Sequence, residues 1–233
     1  WMRNGWIDYV APQIYWNIGF EPADYAKLAD WWAIQAGSCQ LYIGHAAYKV
    51  GENPEKAWHD GGEIAKQIFF NRSNTKIQGS IYFSSRSILK NPLGLKDTLS
   101  IFYSEDALLP ENEELALRKQ AAPNFRRIRH KEEDVKLVWK LAKNDRDNLP
   151  FYYVIYRFDG LVDAELDFEN PKNILKIMPF ATTGKKITYV DETAVEGKLY
   201  TYALVAVNRQ HTESTSSKKR RILKKATGFR RVK

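Results

Sequence analysis

Three apolar runs in the first hundred residues predict strands covered on both faces, because aliphatic, β-branched and aromatic residues follow one another there with few charges. These runs span residues 7–14, 39–47 and 77–83. After each run, apolar residues recur at helical spacing and predict helices over residues 21–36, 54–71 and 95–109. The first half therefore alternates strand and helix three times.

Such alternation with short connections is typical of a parallel sheet joined by right-handed crossovers. A closed (β/α)8 barrel needs about 250 residues and eight strands, whereas residues 1–110 supply three predicted strands. Two interpretations stay open, a small open sheet and the last three units of a barrel.

The hydrophobic period changes to two in the second half. Val135, Leu137, Trp139 and Leu141 alternate with more polar positions, which predicts a strand with one solvated face. Further strands are predicted at residues 151–158, 186–190 and 199–208, with turn residues between them. This spacing favours a β-sandwich over residues 124–233, joined to the first domain, residues 1–110, by a charged linker at 111–123.

Composition adds an asymmetry between the halves. Six of the seven Trp lie in the first sixty residues, and the net charge of +8 comes from the part after Pro110. The basic stretch from Lys218 to the end of the chain is interpreted as a strand edge plus a terminal tail rather than a nucleic-acid site, because charges commonly guard open sheet edges. The lone cysteine, Cys39, begins an apolar run and is expected to be buried.

No apolar run approaches the roughly 20 residues of a membrane span, and no signal peptide is recognisable. The first residue is Trp rather than Met. We therefore expect the chain to begin inside a longer protein.

Candidate site residues follow the first two predicted strands, where α/β barrels place their ligands. Gln13, Tyr15 and Trp16 offer an amide, a phenol and an indole, groups that bind sugars through C–H faces and hydroxyls. Tyr48 and Lys49 hold the same position after the second strand. For all five residues, packing beneath the next helix is the alternative.

His45 lies within the second apolar run, where a histidine is more often a hydrogen-bonded core residue than a ligand, acid or base. It is kept as a sixth candidate for substrate binding. Ser84, Ser85 and Arg86 could hydrogen-bond a ligand, although serine before a helix is usually a cap.

Glycoside hydrolysis normally needs two carboxyl groups across the scissile bond, and no such pair stands at a predicted strand end. Asp8 lies early in its strand, and Glu21 suits the first turn of a helix. The chain has no zinc spacing, phosphate loop or nucleophile elbow, so we expect neither a metal nor a cofactor.

Residues 135–217 resemble a fibronectin type III module. VKLVW from Val135 resembles its strand B with the core tryptophan, and YVIYR from Tyr153 resembles its strand C. Asp191 with YTYALVAVN from Tyr200 resembles the corner between strands E and F, including the tyrosine that hydrogen-bonds back to the corner. This resemblance implies a fold and says little about activity.

The first half resembles the closing third of the bacterial glycosyl hydrolase-like family 10, through GWIDYVAPQIYW, the Trp31–Trp32 pair, LYIGHAAYKVG and GSIYFSS in that order. The resemblance implies a TIM barrel whose sixth, seventh and eighth strands are the three predicted here. It also implies an exported or lipid-anchored protein that hydrolyses glycans, some of them peptidoglycan strands stripped of peptides. The acidic motif of the family, on an earlier strand, has no counterpart in this chain.

We therefore expect part of a glycoside hydrolase that acts on a bacterial or dietary polysaccharide, with its catalytic acids upstream and its signal sequence there too. A non-catalytic protein that binds carbohydrate or cell wall is the first alternative. Polyanion or nucleic-acid binding through the basic stretch is the weaker one. An isolated partial barrel exposes sheet edges, so self-association is also expected.

Overall fold

The computed structural model describes residues 1–111, 120–131, 134–142, 149–162, 166–181, 186–225 and 228–231. The chain forms two compact units, Trp1–Ser104 and Glu105–Lys233. Most of the predicted linker, residues 112–119, lies outside the described residues.

The first unit is a parallel α/β unit. Its strands are β1 (Tyr9–Val10), β2 (Gln40–His45) and β3 (Gly79–Tyr82), and its helices are α1 (Tyr25–Gln35), α2 (Gly62–Ser73), α3 (Ser85–Leu89) and α4 (Leu95–Phe102). The strands pair in parallel in the order β1, β2, β3. Consecutive parallel neighbours linked by helices are the βαβ arrangement that the sequence predicts.

Alternation along β2 and β3 decides which side chains meet the helices. Leu41 and Ile43 pack with Ile14 against Tyr25, Ala29 and Ala33 of α1. A second cluster places Trp58 among residues of α2 and α4, including Ile64, Ile68 and Leu95. These clusters cover one face of the sheet, while Ile81 and Phe83, on the opposite face of β3, remain exposed.

Three predicted elements of this unit differ from the structure, one of them the third helix, which ends at Phe102 rather than near residue 109. The first strand is regular only over Tyr9–Val10 and resumes as a single bridge between Gln13 and Gly44, because Pro12 cannot donate to a ladder. The second helix begins at Gly62 rather than near residue 54. The backbone at Gly61 is left-handed, so a right-handed helix cannot run through this position, and a Cβ there would lie 2.8 Å from the carbonyl oxygen of Leu93, which leaves room for glycine alone.

The second unit is all β. Its strands are β4 (Asn124–Lys131), β5 (Asp134–Lys140), β6 (Tyr152–Asp159), β7 (Ile174–Pro179), β8 (Ile187–Asp191), β9 (Leu199–Val207), β10 (Arg220–Lys225) and β11 (Gly228–Arg231). One sheet has the order β4, β5, β8, and the other has the order β11, β10, β9, β6, β7.

With β4 to β10 read as strands A, B, C, C′, E, F and G, this is the A-B-E and C′-C-F-G strand order of a fibronectin type III sandwich. Trp139 is fully buried and meets Tyr153 edge to face at 5.5 Å. The hydroxyl of Tyr200 accepts a hydrogen bond of 3.0 Å from the backbone N–H of Val195, which closes the corner before β9. β11 is an extra strand at the sheet edge.

A buried charge pair stabilises the same corner. The Asp191 carboxylate accepts hydrogen bonds from Arg157 Nη1 at 3.0 Å, from the Tyr202 hydroxyl at 2.6 Å and from Thr193. Burial works to raise the pKa of Asp191, but the bonds from Tyr202 and Thr193 and the charge of Arg157 outweigh it and lower the pKa.

The basic stretch after Lys218 is largely strand. Arg220 and Arg221 pair with Tyr202 and Thr201 of β9 within β10, and β11 pairs with β10 in turn. The part interpreted as a terminal tail therefore contributes sheet edge over its described residues. Among the described helices, none is long and apolar enough to cross a membrane.

Candidate functional site

The three parallel strands end at a common aromatic cluster, formed by Tyr15, Tyr48 and Phe83. The Tyr15 and Tyr48 rings meet edge to face at 5.9 Å, Tyr15 and Phe83 stack at 6.4 Å, and Tyr48 meets Phe83 edge to face at 6.0 Å. Tyr48 is 40% exposed and Phe83 57% exposed. The cluster thus presents ring surface to solvent at the carboxyl ends of the strands.

Backbone hydrogen bonds beyond the regular strands hold these ends in register. The N–H of Ile14 donates to Gly44 O at 3.1 Å, and the N–H of Gly44 donates to Pro12 O at 2.9 Å. On the other side, the N–H of Phe83 donates to His45 O and that of Tyr48 donates to Phe83 O. Each ring therefore stands on backbone that is tied to its neighbours.

Lys49 braces the cluster from below. Its Nζ donates a 2.7 Å hydrogen bond to the carbonyl oxygen of Tyr15 and lies 5.6 Å from the centre of the buried Trp58 ring. A cation so engaged positions the backbone at Tyr15 and gains from the aromatic face. The structure thus gives Lys49 a positioning contact.

Gln13 and Trp16 lie within two residues of Tyr15 along the chain. Both are exposed, and Gln13 bridges Gly44 through its backbone. Burial first, and then the neighbouring Tyr48, raises the pKa of Tyr15, so that its phenol is a hydrogen-bond donor at neutral pH. An amide, an indole face and a phenol donor lie in one segment.

His45 lies on the helix-covered face and apart from the cluster. It is fully buried, and its ring stacks on Tyr82 at 5.0 Å and on Tyr25 at 5.7 Å. Its Nδ1 lies 2.8 Å from Gln67 Oε1, and its Nε2 lies 2.9 Å from Ser80 Oγ. His45 is therefore a hydrogen-bonded core residue, the role that a histidine in an apolar strand more often has.

The neighbours of His45 determine which of its ring nitrogens carries the proton. The Gln67 amide nitrogen donates to Trp16 O and to Glu63 Oε1, so its oxygen must accept from Nδ1–H of His45. Asn71 accepts from the Tyr25 hydroxyl and turns its amide nitrogen toward Nε2, which acts as an acceptor. The ring is neutral, and burial lowers its pKa to about 4 although the bond to Gln67 acts the other way.

The same network supports the aromatic segment. Glu63 is buried and its Oε1 accepts a 2.7 Å hydrogen bond from the N–H of Ile18, while Gln67 binds the carbonyl of Trp16. Helix α2 therefore holds the backbone at residues 16–18 from behind. Both carboxylate and amide are engaged within the fold, which assigns them positioning roles.

Phe83, Glu63 and Gln67 are the contributors that the sequence interpretation did not single out. Phe83 closes the third predicted strand, so the strand-end rule that selected Tyr15 and Tyr48 could have found it. Glu63 and Gln67 sit one helical turn apart, but their contacts are made with residues 45 to 51 positions away along the chain, and no local pattern indicates them.

Carboxylates are scarce at the strand ends. Asp24 caps helix α1 by accepting from the N–H groups of Ala26 and Lys27, and Glu21 lies in the short turn before it. Within the described ranges, no group of three or more His, Cys, Asp or Glu side chains is arranged to hold a metal ion. The arrangement suits ligand binding by rings, an amide and a phenol.

Residues 1–60 match the model of the family Glycosyl hydrolase-like 10. The curated protein Glycosyl hydrolase YngK of Bacillus subtilis (strain 168) is 37% identical over 223 residues, which cover 94% of this chain and 42% of that protein. Glycosyl hydrolase DigH of Escherichia coli (strain K12) is 44% identical over 91 residues, covering 36% of this chain and 20% of that protein.

Solved structures similar to the chain include a fibronectin type III-like protein from Clostridium thermocellum, with 18% identity, a TM-score of 0.28, and 44% of this chain and 90% of that chain covered. A human fibronectin type III domain has 11% identity and a TM-score of 0.32, covering 46% of this chain and 88% of that chain.

The chain thus spans less than half the length of these curated relatives. The family model matches the segment that carries β1, α1, β2 and the residues from Gln13 to Lys49. Residues 1–60 of the first unit match glycosyl hydrolase-like family 10, and this unit is followed by a fibronectin type III-like sandwich.

Proposed function

We propose that the chain is part of a glycoside hydrolase in which β1, β2 and β3 are the last three strands of a (β/α)8 barrel. The observation that carries this proposal is the meeting of Tyr15, Tyr48 and Phe83 at the carboxyl ends of three parallel strands. Barrel enzymes place their ligands at this edge.

The two faces of the sheet support the barrel interpretation. Helices cover the face of Leu41 and Ile43. The other face carries Ile81 and Phe83, both exposed, and the small residues Gly44 and Gly79. A sheet with helices on one face only and apolar residues on the other is what part of a barrel wall presents, because the remaining strands cover the interior.

The aromatic cluster is proposed as a sugar subsite. Sugar rings bind aromatic faces through their C–H groups, and hydroxyls are recognised by fixed polar groups. Tyr48 and Phe83 offer the faces, with Trp16 beside them, while Gln13 and the Tyr15 phenol offer the polar groups. Lys49, Glu63 and Gln67 hold this surface in place.

Catalysis would need a carboxyl pair, and we place it outside this chain, on other strands of the whole protein. The substrate is proposed to be a polysaccharide, with peptide-free peptidoglycan strands the first to test. Export to the cell surface or beyond is proposed with it, since the family resemblance implies that location.

Binding of peptide-free peptidoglycan strands by the chain, followed by affinity electrophoresis, tests the subsite. Tyr48→Ala and Phe83→Ala are each expected to weaken retention about tenfold, because each removes an aromatic contact worth on the order of 1 kcal/mol or more. Trp31→Ala is the matched control, since Trp31 is exposed on α1 and away from the strand ends.

Equal retention of Tyr48→Ala, Phe83→Ala and the parent chain would exclude the subsite. The hydrolase assignment is tested separately in the whole protein, by the release of reducing ends from the same strands. Retention without any release would favour a carbohydrate-binding protein instead.

A further inference from the structure

A basic groove of about 320 Å³ lies on the sandwich and plays no part in the site described above. It is lined by Arg126, Arg127, Val138, Lys140 and Lys186. Four of these five residues are cations, and the fifth is apolar. The groove belongs to the sheet formed by β4, β5 and β8.

The register of the sheet explains how these residues meet. Val135, Leu137 and Trp139 of β5 point into the sandwich core, so Val138 and Lys140 lie on the outer face. Arg127 is directly opposite Val138 in β4. The ladder is irregular between Phe125 and Arg127, which inserts Arg126 as an extra residue, and such bulges redirect side chains.

The outer face has a charge pattern that stability alone does not favour. Arg129 of β4 is directly opposite Lys136 of β5, and like charges in that position destabilise a sheet. Among the described residues, Arg126, Arg127, Lys140 and Lys186 form no ion pair with a carboxylate. Part of the net charge of +8 therefore lies around this groove, whose described lining contains no carboxylate.

Shielding of Val138 is the structural alternative. Val138 is buried although it lies on the outer face, and long Arg and Lys stems can cover an apolar side chain while their heads stay in water. That role needs aliphatic stems only. It does not call for four cations around one groove without an acid among them.

We propose that this groove binds an anionic glycan, a polysaccharide whose sugars carry carboxylates. Guanidinium groups match carboxylates in geometry and charge, and the aliphatic stems around the buried Val138 offer apolar surface to the C–H face of a sugar. The lining contains no aromatic ring on which nucleobases could stack. The choice of a glycan rests on the proposed function, since residues 1–60 match a glycosyl hydrolase-like family.

The test uses the whole chain in affinity electrophoresis at about 0.15 M salt, an ionic strength that screens long-range attraction. Carboxymethyl cellulose is the charged probe, and hydroxyethyl cellulose is the neutral probe with the same backbone. Arg127→Gln with Lys140→Gln is expected to weaken retention by the charged probe at least tenfold. Retention by the neutral probe should be unaffected.

The matched control is Lys172→Gln with Lys176→Gln, which removes the same net charge near the other sheet at two exposed positions. Its retention should stay within about twofold of the parent chain. Arg127→Lys with Lys140→Arg keeps the charges and should retain most of the binding, and thermal melting of each variant confirms that the sandwich is folded.

Equal losses in the two glutamine pairs would overturn the proposal, because net charge alone would then explain retention. Equal retention on the charged and neutral probes would overturn it as well. So would an oligonucleotide or anionic vesicles that bind more tightly than carboxymethyl cellulose and lose binding in Arg127→Gln with Lys140→Gln. The two proposals are read on different probes: loss of charged-probe retention in Arg127→Gln with Lys140→Gln reports on the groove, whereas neutral-probe retention, which those changes leave intact, reports on the aromatic cluster.

Discussion

The two units place their aromatic residues in opposite ways. In the sandwich, Trp139, Tyr153, Tyr200 and Tyr202 are buried between two sheets. In the parallel unit, Trp58 is buried, while Trp1, Trp6, Trp16 and Trp31 are all exposed by more than a third.

This difference teaches where each unit finds its stability. The sandwich completes its core within itself, because two sheets cover each other's inner faces. The parallel sheet is covered by helices on one side, and its other face, with Ile81 and Phe83, is left for contact. Aromatic residues stabilise the fold in one unit, whereas in the other several lie at the surface, and we propose that those at the strand ends bind a sugar.

The largest expected effect is loss of the sandwich tryptophan. Trp139→Ala should destabilise the second unit by about 3–5 kcal/mol, because a fully buried large side chain leaves a cavity. Hydrogen exchange read by mass spectrometry measures this in peptides from β5, β6 and β9. Trp6→Ala in the other unit, where Trp6 is 68% exposed, should change stability by no more than about 0.5 kcal/mol.

A loss of more than about 2 kcal/mol in Trp6→Ala would contradict the comparison. It would mean that the exposed tryptophans of the parallel unit also belong to a core.

The next largest expected effect is that acid destabilises the parallel unit more than the sandwich. His45 binds its proton less readily in the folded state, where its pKa is about 4, than in the unfolded chain, where it is near 6.5. The unfolded state therefore gains protons first as the pH falls. The contribution of the neutral His45 to the stability of the parallel unit is fully present above pH 6.5. It is lost as the pH falls from 6.5 to 4, which lowers the free energy of unfolding by on the order of 3 kcal/mol.

The sandwich is expected to keep its stability between pH 6.5 and 4. The lowered pKa of Asp191 means that its contribution is present above the ordinary pKa of an aspartate and is lost only in stronger acid. Burial, and then the charges of Glu169 and Glu111, raise the pKa of Glu213. Its contribution to the stability of the sandwich therefore increases as the pH falls. Hydrogen exchange between pH 7 and 4.5 should thus show faster opening in peptides of α1, α2 and β2 alone.

His45→Gln is the control for the acid effect, because it removes the titrating ring and should flatten the pH dependence of the parallel unit. If peptides of both units lost protection together, the assignment of the effect to His45 would be wrong.

How far the sequence predicts these features depends on how local their causes are. Strands β2 and β3 follow from uninterrupted apolar runs, and Trp139 follows from period-two alternation. The sequence does not predict β4, because Arg126–Arg127 hide its alternation, and the basic stretch that holds β10 indicates a strand edge without its bounds. Charged residues on an outer face carry no hydrophobic signal.

The site shows the same limit. Tyr15 and Tyr48 were found from their places at strand ends. The hydrogen bonds that hold the backbone after Tyr15 join Glu63 to Ile18 and Gln67 to Trp16, at spacings that only the folded chain brings together. These donors and acceptors satisfy one another only when the whole network is formed. Such a network leaves no local pattern in the sequence.

The smallest change with a sharp expected consequence is one methyl group at Gly44. A Cβ there would lie 3.1 Å from Pro12 O and 3.3 Å from Gln13 Cα, both backbone atoms that cannot rotate away. Gly44→Ala should therefore shift the segment that carries Gln13 and Tyr15. We expect a stability loss of roughly 1–3 kcal/mol and loss of most glycan retention at the aromatic cluster.

Gly79→Ala is the matched control on the neighbouring strand. Its Cβ would meet the ring of Tyr42 at 3.0 Å, a side chain that can move, and Gly79 begins β3 rather than lying at its carboxyl end. Retention on peptide-free peptidoglycan strands should therefore survive in Gly79→Ala. If both alanine variants bound equally well, the position of the strand ends would not control binding. Sugar recognition would then not explain why aromatic residues of the parallel unit are exposed.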